Sequence, residues 1–109
     1  MTITPEDRAW LGDLPKVELH VHLEGSMSVD TVRALTERHG ADPTEIWPGG
    51  FPDAFSFDGF PSFAAQFFYG LSLLHSAEDL ATITDRLAAT MASQNVRYAE
   101  ITTTAYTHF

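Results

Sequence analysis

The amino-acid sequence reads as an α/β chain in which two strands are separated by several helices. Residues 17–26, Val-Glu-Leu-His-Val-His-Leu-Glu-Gly-Ser, alternate apolar and polar side chains with the period of a strand. Residues 96–104, Val-Arg-Tyr-Ala-Glu-Ile-Thr-Thr-Thr, are β-branched and aromatic, the composition of a second strand. The stretch between them carries apolar residues at three- and four-residue steps, broken by Gly and Pro. Such a connection is long enough for a parallel crossover.

Each element has a local reason. Thr4-Pro5-Glu6-Asp7 opens a short helix, with a Thr cap, Pro at the first position and acids in the first turn. That helix carries Trp10 and Leu11 and is expected to stop near Gly12. Pro15 cannot donate to a ladder, which suits the entry of the first strand. In that strand Val17, Leu19, Val21 and Leu23 share one face, and Glu18, His20, His22 and Glu24 the other. Ser28 caps a second helix with the stripe Val29, Val32 and Leu35, ended by His39-Gly40. Residues 41–59, rich in Pro, Gly, Asp and Phe, read as a long, partly ordered loop with little regular structure, a kind of segment that often carries function. Pro61 opens a third helix bearing Phe60, Phe63, Phe67 or Phe68, Leu71 and Leu74. Ser76 caps a fourth, with Leu80, Ile83, Leu87 and Met91 as its stripe and an end around Gln94-Asn95.

Composition narrows the function classes. A chain of 109 residues has room for one small domain with a modest core. Its net charge of −9 disfavours nucleic acid and anionic membranes as partners. There is no cysteine, so a metal site has to use His, Asp or Glu. No apolar run reaches membrane-span length. The N-terminal residues lack the basic and apolar regions of a signal peptide, and the expected location is the cytoplasm. Two strands would leave unpaired edges and a half-covered apolar face, whereas an eight-fold α/β barrel takes about 250 residues. The chain is therefore expected to be the opening segment of a larger enzyme, with residues 1–109 forming the N-terminal part of a single barrel domain.

His20 and His22 stand out chemically. Side chains two apart on a strand are separated by roughly 6.6 Å, and two imidazoles at that spacing can lean together onto one metal ion with bonds of about 2.1 Å. On a helix the same pair would point nearly to opposite sides. Spacing alone leaves a solvated, hydrogen-bonded pair as the commoner reading. Glu18 shares the histidine face, either as a partner of the ligands or as a structural salt bridge. The Phe stripe is either a pocket wall or ordinary core. Glu100 lies on an inner strand, where a cation of the barrel is its expected partner. His39 and His75 read as helix-end caps or surface residues, and these two and His108 are not expected to be ligands.

The run Leu14-Pro-Lys-Val-Glu-Leu-His-Val-His-Leu-Glu-Gly-Ser26 resembles the start of the adenosine deaminase family, within the metal-dependent amidohydrolase barrels. Asn95-Val-Arg-Tyr-Ala-Glu-Ile101 looks like the family's second barrel strand, and the Phe-rich helix between them also fits. The resemblance covers most of this chain but only about the first third of a family member. It implies a TIM (β/α)8 barrel and hydrolytic loss of the 6-amino group of a small-molecule purine, with release of ammonia. By the same resemblance His20 and His22 are two ligands of Zn2+, which lowers the pKa of a water toward ~7, and a carboxylic acid protonates the ring nitrogen.

Glu24, with Gly25, occupies the acidic position that lies against the substrate in the family, where its bland reading is a loop carboxylate capping the next turn. Adenosine-specific members usually carry Asp there, and members acting on adenine or aminodeoxyfutalosine often carry Glu. The aminopurine therefore stays open. Phe60, Phe63 and Phe67 fall on the helix that covers the family's substrate pocket. The remaining zinc ligands and the catalytic Glu have no counterpart in this sequence, so no catalytic residue is assigned, and the 109 residues alone are expected to be inactive. The competing readings are another metal hydrolase opening with His-x-His, and a non-catalytic association module.

Overall fold

A computed structural model of the chain describes residues 1–105. His108 lies outside them. The order is α1 (Pro5–Asp13), β1 (Lys16–His22), a 3-10 turn (Glu24–Ser26), α2 (Val29–His39), α3 (Gly59–Ser72), α4 (Ala77–Ser93) and β2 (Val96–Thr102). β1 and β2 pair in parallel, which the long connection allows. Among the described residues no helix is long and apolar enough to cross a membrane.

The helix starts follow the capping residues. Thr4 and Asp7 form a reciprocal capping box on α1, and Ser76 and Asp79 form another on α4. Gly40 ends α2 in the left-handed conformation, with φ 60°. Asn95, at φ 59°, turns the chain from α4 into β2. Its side-chain amide donates to the Asp13 carbonyl at 2.6 Å. Below the sheet the Lys16 ammonium donates to three carbonyl oxygens, those of Gly12, Leu14 and Gln94, at 3.3, 2.9 and 2.8 Å. The cation thus joins the ends of two helices to the root of β1, where the carbonyl end of a helix dipole favours positive charge.

The core is assembled around the upper end of β1. Leu23, Met27, Val32, Leu35, Leu73, Ile83 and Leu87 are buried together. Trp47, Phe51 and Phe55 from the loop after α2 pack against them. That loop has little regular structure, as its composition indicated, but its aromatic residues are anchored. Trp47 meets Tyr69 of α3 edge-on, with ring centroids 5.5 Å apart.

Several expectations need correction. The first strand stops at His22, and Leu23 turns into helical geometry (φ −53°, ψ −51°). Leu23 and Glu24 are therefore both buried instead of lying on opposite faces of one strand. Gly25 lies in the turn that follows. Within β1 the alternation does not sort burial either. Val17 and Leu19 are 59% and 62% exposed, because the described helices pack toward the upper end of the sheet and leave its lower part uncovered. The register also slips: Glu18 to Val21 runs against Ala99 to Ile101, three steps against two. α3 begins at Gly59, before Pro61, and β2 ends at Thr102. Leu73, which the α3 stripe omitted, is among the most buried side chains.

Candidate active site

At the upper end of β1 the two histidines converge. His20 Nε2 and His22 Nε2 lie 3.0 Å apart, with ring centroids 4.9 Å apart. The strand puts both rings on one face, and the turn immediately after His22 keeps that face open. Among the described residues both rings are exposed. At this distance one Nε2–H donates to the bare Nε2 of the other ring.

The donor set suits a borderline metal ion: two imidazole nitrogens, accessible and already converging. A tetrahedral zinc with bonds of about 2.1 Å separates two ligand nitrogens by roughly 3.4 Å, so the pair needs to open by only about 0.4 Å. Among the described residues no group of three or more His, Asp or Glu is placed to hold a metal. Within these residues the pair stands by itself.

The histidines line an open cleft of about 490 Å3 together with Val21, Gly25, Ser26, Phe63 and Phe67. This is the size range of small-molecule sites. Phe63 and Phe67 stack with centroids 5.9 Å apart, and they form the wall facing the histidines. They also border a smaller cavity of about 50 Å3. Glu24 and Gln66 line it among Met27, Phe55 and Phe57. Phe63, Phe67 and Gly25 border both spaces, and a Cβ on Gly25 would stand 3.5 Å from the Phe67 ring.

Of the predicted substrate residues, Glu24, Gly25, Phe63 and Phe67 are gathered here. Phe60 is 77% exposed; it touches Phe63 (ring centroids 6.0 Å apart) but lines neither space. Glu24 is only 2% exposed, and its Oε1 accepts from the Thr104 backbone N–H at 2.8 Å. It ties the turn after β1 to the segment after β2, and it does so across the sheet instead of capping its own turn. Glu18 is exposed. Glu100 accepts from the Tyr98 hydroxyl at 2.8 Å, which pushes the Tyr98 phenol up. A neighbouring phenol, not a cation, is its partner among the described residues.

Sequence reasoning missed Gln66. Its Nε2 donates to the Ser56 carbonyl at 3.0 Å, with Ser62 Oγ at 3.4 Å. Its Oε1 is buried with no hydrogen-bond partner among the described residues, a condition that costs about 1–3 kcal/mol. The available signal was a polar residue set between apolar ones at 63 and 67.

A second cluster of histidine and carboxylate lies away from the cleft. Asp79 is 1% exposed and accepts from Arg38 Nη1 at 2.9 Å, from His39 Nε2 at 3.0 Å, from the backbone N–H groups of His75 and Ser76, and from Ser76 Oγ. Burial alone would raise this carboxyl. The hydrogen bonds from Arg38, His75, His39 and Ser76 outweigh burial and hold it well below the usual carboxylate range. The His39 and His75 rings contact at 4.0 Å between centroids. His39 is thus a cross-helix partner of Asp79, not a helix-end cap.

The family profile described as adenosine deaminase matches residues 15–108. An aminodeoxyfutalosine deaminase of Streptomyces coelicolor is 38% identical over 103 residues, covering 94% of this chain and 27% of that protein. An adenine deaminase of Ralstonia nicotianae is 32% identical over 108 residues, covering 99% and 31%. An adenine deaminase of Rhodospirillum rubrum is 34% identical over 95 residues, covering 87% and 28%. The chain thus spans between a quarter and a third of the length of these curated relatives.

Proposed function

The chain belongs to the adenosine deaminase family, and from that premise we propose that it forms the opening part of a (β/α)8 hydrolase that removes the 6-amino group from an aminopurine base or nucleoside. One observation carries the reading: at the upper end of β1, two convergent imidazoles face an aromatic-walled cleft bordered by a buried carboxylate's turn. Barrel enzymes place their chemistry at that end of the strands. The exposed apolar side chains of Val17, Leu19, Tyr98 and Ile101 support further strands covering this sheet. So does a radius of gyration of 15.7 Å, against about 13 Å for a compact chain of this length.

In this reading His20 and His22 hold Zn2+, which supplies the Lewis acidity that activates water near neutral pH. Phe63 and Phe67 stack along a flat heteroaromatic ring and exclude water from one side of it. Glu24, anchored by the Thr104 N–H, presents a hydrogen-bond acceptor beside the substrate. The acid that protonates the ring nitrogen belongs to the rest of the barrel. The net charge of −9 favours a small-molecule substrate over nucleic acid.

The test is ammonia release by the full-length protein from adenosine, adenine and aminodeoxyfutalosine, before and after chelation. The proposal expects release from at least one of them, lost on chelation and restored by zinc. Release of no ammonia from any aminopurine would overturn it.

A further inference from the structure

We infer that Gln66 is a specificity-determining residue whose side-chain carbonyl accepts a hydrogen bond from the substrate. The inference rests on the deaminase reading and extends it to the group that distinguishes one aminopurine from another. The amide of Gln66 has a fixed orientation. Its neighbour at 3.0 Å is the Ser56 carbonyl, which can only accept, so the NH2 end must face it. The oxygen is thereby turned away from that anchor, and it is buried without a partner among the described residues. Buried carbonyls without partners are rare in folded proteins, and one at a site edge is explained when its partner arrives with a ligand.

The location supplies the rest. Gln66 lines the smaller cavity with Glu24, and that cavity shares Gly25, Phe63 and Phe67 with the histidine cleft. The other side chains named around that cavity, Met27, Phe55 and Phe57, are apolar. A buried carbonyl that accepts, set in an apolar wall, selects a ligand group that donates. At about 50 Å3 the space takes a small donor group, not a whole purine. On an aminopurine the donor is a ring N–H or a sugar hydroxyl, on the part of the molecule away from the amine.

The experiment uses the full-length zinc-loaded protein with Gln66→Leu, and with Gln66→Met as the variant closer in shape and flexibility. The probes are adenine (ring N–H), adenosine (sugar hydroxyls) and 9-methyladenine, which keeps the 6-amino group and lacks both donors. The expected result is a loss of about tenfold in kcat/KM, mainly through KM, on adenine or adenosine, and less than twofold on 9-methyladenine. Which of the two is affected identifies the donor as N–H or O–H. An equal loss on all three, or no loss on any, would overturn the inference and leave Gln66 a structural residue. Calorimetric binding of the same probes to the metal-free protein should show the same ratio. That readout separates a failure of this inference from a failure of the deaminase reading, which would appear as wild-type protein that binds the probes and releases no ammonia.

Discussion

The molecule contains two meeting points of histidines, built in opposite ways. Around Asp79 the polar groups face one another. The carboxylate is buried, and Arg38, His39, Ser76 and the His75 backbone supply its hydrogen bonds. At the end of β1, His20 and His22 share one hydrogen bond between them and stand exposed over a cleft. A satisfied buried network fixes helices in place, and nothing is left over to meet a ligand. A convergent, accessible pair with spare donor capacity is what a ligand requires. Residue type is the same in both places, so burial and partner count separate the closed cluster from the proposed site.

The largest effect should come from the open pair. His20→Ala with His22→Ala in the full-length protein should lower kcat for ammonia release by roughly 10³-fold, since a metal's stabilisation of the reacting centre is worth several kcal/mol. The variant should still unfold cooperatively, with a fall in melting temperature no larger than that produced by chelating zinc from the wild type. A double variant with wild-type activity would erase the distinction between the two clusters.

Next in size is the closed cluster. Asp79→Ala removes the acceptor for three side chains and two backbone N–H groups, and should cost about 2–4 kcal/mol in denaturant unfolding. The arginine it leaves is partly exposed and can recover water, which keeps the cost below that of a fully buried pair. The pH dependence follows from the same site. The folded carboxyl lies below its unfolded value of 3.8, so its contribution is complete above about pH 4–5 and is lost as pH falls through the folded value. Unfolding curves between pH 6 and 2 should therefore show an acid slope that flattens in Asp79→Asn. An unchanged slope would assign acid sensitivity to other carboxylates.

A smaller effect sharpens the contrast between the two ends of the sheet. Lys16→Met removes three hydrogen bonds to carbonyls at the lower end and should cost about 1–2 kcal/mol while leaving KM and kcat within twofold. Smallest is Thr4→Ala. It removes the α1 cap, but α1 buries no residue, so about 0.5–1 kcal/mol of local helix stability is expected, visible as faster amide exchange at Asp7 and Arg8.

Much of this architecture is legible locally. Caps at Thr4, Ser28 and Ser76, the stop at Gly40 and the His-x-His spacing are short-range signals, and each element formed where its signal lay. The length of the connection left room for the parallel pairing that is observed. What was hidden depends on long-range contact. Asp79 looks like the third residue of a capped helix, and nothing near it announces Arg38 or His39, 41 and 40 positions away. The end of β1 at His22 was obscured because Leu23 and Glu24 continue the alternating pattern. The turn appears only because both side chains are drawn inward, Leu23 to the core and Glu24 to Thr104. Gln66 was overshadowed by its Phe neighbours, since its significance lies in an anchored amide and not in a periodicity.

The most direct test is zinc content, measured side by side on the full-length protein, His20→Ala/His22→Ala and Asp79→Ala. The account predicts one equivalent of zinc in the wild type and in Asp79→Ala, and its loss from the histidine variant with the fold intact. Zinc retained after both histidines are removed, or lost when only Asp79 is changed, would contradict it.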